Sequence, residues 1–220
     1  MIKIEVADSQ QKINPGVTLT VWRFTLIMSQ LSRQVLPTQT YLADLTTADW
    51  TTLISGQLLL QGGRGQYRIL ALTPVDGAIA WAVLTDYGNF HQFLPTVAES
   101  RILEVDGCRK VVEQLDRRRI LLSTVESRIR TENLEINQQQ ISFQLLQGNL
   151  AYMYGHWRLD KAPPESGSTP LLLISQQVQA EAETDLGPFK GMFYRLFENS
   201  LTETMQALRT EMERRANRLV

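Results

Sequence analysis

Residues 189–212 read FKGMFYRLFENSLTETMQALRTEM, and within them Phe189, Met192, Phe193, Leu196, Phe197, Leu201, Met205, Leu208 and Met212 recur at helical spacing. Apolar side chains repeated every three or four residues define one long amphipathic helix. Such a helix must bury its stripe. The segment before it reads as six short strands, so the large partner it has is the face of an antiparallel sheet. Bulky, soft residues on the stripe suit a lid over a curved sheet.

Working back from that helix, the strands come at regular spacing. Asp106-Gly107 is a hairpin signal between Ser100–Val105 and Arg109–Leu115. A long strand is expected over Arg119–Thr131, with Val125, Ser127 and Ile129 alternating against Glu126, Arg128 and Arg130. Gln139–Leu146 and Ala151–Leu159 follow, with Tyr152, Tyr154, His156 and Arg158 on the wet face of the latter. The Pro-, Gly- and Ser-rich stretch from Ala162 to Thr169 is a loop, and Leu171–Glu183 is the last strand. Further upstream, Gln57–Leu60 and Gln66–Thr73 flank Gly62, Gly63 and Gly65 as a hairpin or a glycine-bent strand. Asp76 caps a helix through Ala78–Leu84, and a second short helix spans Asn89–Phe93 and stops at Pro95.

The first 55 residues read differently and are expected to form an N-terminal arm, with residues 56–220 as the main domain. Ile2, Ile4 and Val6 alternate like a strand, Asn14-Pro15-Gly16 signals a turn, and Val21–Leu36 has a helical pattern ended by Pro37. Met28 offers an alternative start.

A formal net charge of −1 and a pI of about 6.2 give no global positive field for a nucleic-acid backbone, so no nucleic-acid partner is expected. One cysteine, Cys108, precludes an internal disulfide, and with two histidines it makes no structural zinc site. That usage fits a reducing, cytoplasmic compartment. Val17–Met28 is interrupted by Arg23, too short to span a bilayer and without a signal-cleavage pattern.

The element order, and the wording Trp81-Ala82-Val83-Leu84-Thr85-Asp86-Tyr87, Asn89-Phe90, Phe93-Leu94-Pro95, Ser100-Arg101-Ile102-Leu103-Glu104 and Val112-Glu113-Gln114, resemble the START-like SRPBCC superfamily. The likeness is greatest to its polyketide cyclase/dehydrase and coenzyme Q-binding branch and covers roughly Leu58 to Arg215. The resemblance implies an α+β helix-grip fold: a curved antiparallel sheet of about six to seven strands, two short helices and a long C-terminal helix. It also implies a hydrophobic ligand held between sheet and helix. The same cavity hosts carriers and enzymes, so fold alone does not decide the activity.

Strand parity places Val125, Ile129, Phe143, Met153, Trp157, Ile174 and Val178 on the inward face, opposite Phe189, Phe193 and Phe197. Phe90, Phe93 and Leu94 fall near the pocket mouth. Aromatic rings and methionine suit a planar or isoprenoid guest, and the alternative is a dry packed core. Inward polar groups are few: Ser123, Ser127 and Gln176. An enzyme would need a general acid or base there. His156 shares a face with Arg158, His91 lies near the mouth, and Glu113 points inward only if the register slips by one.

Gly62-Gly63-Arg64-Gly65 lacks the lysine and hydroxyl of a phosphate loop. Arg117-Arg118-Arg119 and Arg214, Arg215 and Arg218 read as solvated turns or helix ends, with transient docking on an anionic membrane surface as a second reading. The expectation is a soluble carrier or chaperone for a prenyl quinone, isoprenoid or other lipid, with no cofactor, no metal and no assigned oligomeric state. An aromatase/cyclase or dehydratase of a polyketide-like substrate and a protein-interaction module are the alternatives.

Overall fold

The computed structural model describes residues 44–120, 123–163, 170–183, 187 and 190–218, with backbone only at 119, 120, 123 and 124. Thr46–Val220 forms one compact unit that contains the sheet, the helices and the cavity. Of the other unit, Met1–Leu45, Asp44 and Leu45 are described, so the strand, turn and helix expected near the N-terminus lie outside the described residues.

Helix α1 (Thr47–Ile54) opens on a capping box: the Asp49 amide donates to Thr46 Oγ1 at 3.2 Å, and the Thr46 amide donates to the Asp49 carboxylate at 2.9 Å. Strands β1 (Leu59–Gly63) and β2 (Gln66–Thr73) form a hairpin, not one bent strand. Asp76 then caps α2 (Gly77–Leu84) by accepting from the Ala78 amide at 2.8 Å. The short helix expected after it is a 3₁₀ helix over Tyr87–Gln92.

Strands β3 (Val97–Asp106), β4 (Arg109–Ile120), β5 (Ser123–Ile136), β6 (Gln140–Gln147), β7 (Leu150–Lys161) and β8 (Leu172–Ala182) complete an antiparallel sheet in the order β1-β2-β8-β7-β6-β5-β4-β3. Among the described residues the strand count is eight, where about six to seven were expected. The boundary between β4 and β5 also differs. Pairing runs unbroken from Arg109↔Leu134 to Ile120↔Ser123, so Arg117, Arg118 and Arg119 belong to a strand and not to a turn.

A Cβ at Gly155 would stand 2.0 Å from the Gln177 carbonyl oxygen and 2.9 Å from the Phe143 ring, so only glycine lets β8 and the Phe143 ring approach this closely. Across the concave face lies α3 (Lys190–Ala216), whose buried residues are Leu201, Met205, Leu208, Glu211 and Met212. Leu201, Met205, Leu208 and Met212 join Ile69, Ala71, Ile174, Val178, Ala80 and Val83 in one core. Each fully buried side chain of this size contributes about 1.5–3 kcal/mol.

The burial on α3 is lopsided. No described residue before Leu201 on this helix is fully buried, whereas its C-terminal half is fastened by polar ties as well. Arg215 donates to Asp86 at 2.6 Å and to Glu211 at 2.7 Å, Arg209 donates to the Gly56 carbonyl at 2.8 Å, and the Thr73 hydroxyl donates to Glu213 at 3.2 Å. Arg214 and Arg215 are therefore structural partners of Glu211 and Asp86 and not free surface cations.

Candidate ligand cavity

Between the concave face and the N-terminal half of α3 lies a cavity of about 370 Å³. Alternate residues of five strands form its floor: Val112, Gln114, Asp116 and Arg118 on β4, Ser127, Ile129, Thr131 and Asn133 on β5, Ile141 and Phe143 on β6, Met153 and Trp157 on β7, and Gln176 and Val178 on β8. This is the period of two that a strand with one buried face requires. Phe193, Leu196, Phe197 and Leu201 form the roof, and Tyr87, Phe90 and Leu94 close one side. The Phe193 and Phe197 rings stack 6.1 Å apart, and Phe197 lies 5.7 Å from the Tyr67 ring.

Of the residues expected at the pocket, Ile129, Phe143, Met153, Trp157, Val178, Phe193 and Phe197 are on the wall, together with Phe90 and Leu94. Ile174 is off the wall, fully buried in the core beside Ala71. Val125 is 46% exposed, because it sits near the start of β5, two residues before the wall begins at Ser127. Phe93 packs under the Arg215 guanidinium, 5.5 Å from the ring centre. Phe189 and the Ser123 side chain lie outside what is described.

The polar positions change the chemistry most. Glu113 faces away from the cavity and is almost wholly buried between Arg101, Arg128 and Arg130, which donate to it at 2.5–3.0 Å. Arg130 and Arg101, with help from Arg128, hold its carboxyl down at about 2, so it is a fixed anion and not a base. The cavity's own carboxyl is Asp116. Burial pushes its pKa up to about 6, against the pull of the neighbouring Arg118, and no described residue donates a hydrogen bond to it. A carboxyl poised there both gives and takes protons near neutral pH.

Arg118 crosses from floor to roof. Its guanidinium donates to Ser200 Oγ at 2.7 Å and stands 3.4 Å from the Glu203 carboxylate. Ser127 donates to Asn149 Oδ1 at 3.0 Å, while Asn133 donates to Thr131 Oγ1 at 3.0 Å. Four strands away from Asp116 in the sheet order, Gln176 is 7% exposed, lines the cavity and has no hydrogen-bond partner for its Oε1. Tyr87 is buried beside Glu135; burial first, then that carboxylate, raises its hydroxyl far above the usual phenol range.

Neither histidine reaches the cavity. His91 is exposed, and His156 lies on the opposite face of the sheet, where burial, aided by Arg158, lowers it to about 4. Arg158 is not solvent-facing as its charge suggested: it is 7% exposed, with its guanidinium donating to the equally buried Asp160 at 3.0 Å. Among the described residues no cluster of His, Cys, Asp and Glu is arranged to hold a metal ion, and no helix is long and apolar enough to cross a membrane.

Sequence reasoning missed Asp116, Gln114 and Arg118 as wall residues. Their signal was the alternation from Val112, which continues beyond Leu115, where the strand was expected to end.

A family model described as polyketide cyclase/dehydrase and lipid transport matches residues 74–209. No curated protein matches the chain. Among solved structures, the Zhui aromatase/cyclase of Streptomyces sp. R1128 is similar with a TM-score of 0.55 at 16% identity, over 72% of this chain and 96% of that one. A protein of Thermus thermophilus scores 0.52 at 15% identity, over 69% and 97%. A STAR-related lipid transfer protein of Xanthomonas axonopodis scores 0.51 at 15% identity, over 71% and 92%. At these identities the likeness is one of fold.

Proposed function

Because the chain belongs to the polyketide cyclase/dehydrase and lipid transport family, we propose that it is a binding protein or chaperone enclosing a hydrophobic small molecule, of the prenyl quinone, isoprenoid or other lipid class, between its sheet and α3. The cavity carries this reading. Its volume of about 370 Å³ falls within the range of small-molecule sites, its roof is aliphatic and aromatic, and its floor mixes apolar side chains such as Ile141, Phe143, Met153 and Trp157 with polar ones. Facing apolar side chains that leave a concave space of this size unfilled give up contacts that a packed core would make.

The mechanism follows from how α3 is held. Its C-terminal half is locked by buried Met205, Leu208 and Met212 and by the Arg215–Asp86 pair. The N-terminal half carries the roof residues Phe193 and Phe197 and is tied to the floor through Arg118. Entry then needs local displacement of the N-terminal half and loss of few contacts, which is how lids over enclosed sites work.

Asp116 supports a second reading, an aromatase/cyclase or dehydratase acting on a polyketide-like substrate. A near-neutral carboxyl on the cavity wall is the acid/base such chemistry needs, and it accepts or returns a proton at a carbon next to a carbonyl.

Native mass spectrometry of protein isolated gently from its own cells, followed by solvent extraction, tests both. One stoichiometric lipid or quinone supports the binding protein. A mixture of a compound and its cyclised or dehydrated product supports the enzyme.

A further inference from the structure

Among the described cavity residues, Gln176 carries a buried acceptor that neither the packing nor the tie across the cavity uses. It sits in the middle of β8, between Ile69 on β2 and Trp157 on β7, and the parity that puts Ile174 and Val178 on the concave face puts its side chain there too. The residue is 7% exposed, and its Oε1 has no hydrogen-bond donor. Its flanking neighbours across the sheet offer little: Ile69 is aliphatic, and Trp157 carries a single side-chain N–H. Asn133, an inward amide three strands away on β5, spends its Nδ2 on Thr131.

A wholly apolar guest filling this end of the cavity would strip Oε1 of water and give nothing back. A buried acceptor left unpaired is more costly than a hydrogen bond is favourable, so a site built this way discriminates strongly against ligands without the matching donor. An amide oxygen on a dry wall is therefore a reading element for an O–H.

We infer that Gln176 selects ligands bearing a hydroxyl group at the end of the molecule that lies against Trp157, an alcohol or phenol and, within the quinone class, the reduced quinol and not the oxidised quinone. The inference rests on the binding-protein reading and deepens it. The hydroxyl hydrogen is donated to Gln176 Oε1, the hydrocarbon body lies on Phe143, Met153 and Val178, and the opposite end reaches toward Asp116.

The test uses matched probes small enough for the cavity: 1-naphthol, its methyl isostere 1-methylnaphthalene, and 1-naphthaldehyde, which accepts but does not donate. Affinities are measured by fluorescence titration of the full chain, each corrected for the probe's partition into octanol. The wild type is expected to prefer 1-naphthol over both others by about tenfold. Gln176→Leu is expected to abolish that preference while still binding 1-methylnaphthalene, and Gln176→Met is the second variant should leucine not fold.

Equal corrected affinities in the wild type, or a preference for the aldehyde, overturn the inference and leave the binding-protein reading standing. A hydroxyl preference that persists in Gln176→Leu or Gln176→Met and vanishes in Asp116→Asn also overturns it, by moving the reading group to Asp116. Failure of all three probes to bind overturns the binding-protein reading itself.

Discussion

Glu113 and Asp116 stand three residues apart on β4 and face opposite sides of the sheet, the first locked among three arginines and the second on the cavity wall. One strand thus holds a carboxylate at about 2 and another at about 6. Opposite shifts in identical chemistry come from opposite surroundings, and each gives its own pH signature.

For Asp116 the folded pKa of about 6 lies above the ordinary value of 3.8. Between those values the folded state keeps a proton that the unfolded chain has released, so stability falls as pH rises from about 4 to about 6. Asp116→Asn removes that penalty. Its stability is expected to match the wild type near pH 4 and to exceed it at pH 7 by no more than about 3 kcal/mol. Denaturation curves at both pH values check this, and an asparagine variant less stable at pH 7 than at pH 4, relative to wild type, contradicts the burial of an unpaired carboxyl.

Glu113 has the reverse sign. Its folded pKa of about 2 lies below the ordinary 4.5, so its stabilising effect is complete above about pH 4.5 and disappears as pH falls toward 2. Glu113→Gln is expected to lower the melting temperature at pH 7 by leaving Arg101, Arg128 and Arg130 crowded without their anion. The gap to wild type should shrink steadily in acid scans from about pH 4.5 to about pH 2.5.

These two residues also show where the sequence was readable and where it was not. The period of two put Ile129, Phe143, Met153, Trp157 and Val178 on one face because a strand with one buried side leaves that pattern whatever its neighbours are. The helix was legible for the same reason, at a period of about 3.6. The division between β4 and β5 was not, since the run Arg117-Arg118-Arg119 looks like a turn and no Gly, Pro or Asn follows it before Ser123. Ending the strand at Leu115 hid Asp116 and Arg118. Charge misled at Arg158 as well, because its burial depends on Asp160 two positions along the same strand face, and pairing is invisible to composition.

The Arg118 tie makes a kinetic prediction. Arg118→Met keeps the hydrocarbon stem and removes the hydrogen bond to Ser200 and the attraction to Glu203. Loss of one such bond corresponds to release of a bound hydrophobic probe that is about 2- to 10-fold faster. Stopped-flow dissociation measures it, and an unchanged rate would show that opening does not separate Arg118 from the helix. A disulfide pinning the N-terminal half of α3 to the sheet is expected to block exchange altogether.

Roof residues should matter more than outer-face aromatics of similar size. Phe193→Ala and Phe197→Ala each remove a ring from the cavity and are expected to weaken ligand retention about tenfold or more, as loss of a buried aromatic contact does. Tyr154→Ala is the control, since Tyr154 sits on the opposite face with its hydroxyl donating to Gln179 at 2.7 Å. Equal losses in all three folded variants contradict the assignment of the cavity as the site.

The most direct test of the central claim is to locate a bound hydrophobe on the chain. Photolysis of the protein with a diazirine analogue of any lipid recovered with it, or of palmitic acid if none is recovered, followed by peptide mapping, reads the answer out residue by residue. The account predicts labels on both walls at once, at Phe143, Met153 or Trp157 on the floor and at Phe193 or Phe197 on the roof, competed away by unlabelled ligand. Labels confined to exposed apolar residues such as Ile102, Val105 and Met192, and insensitive to competitor, would contradict it.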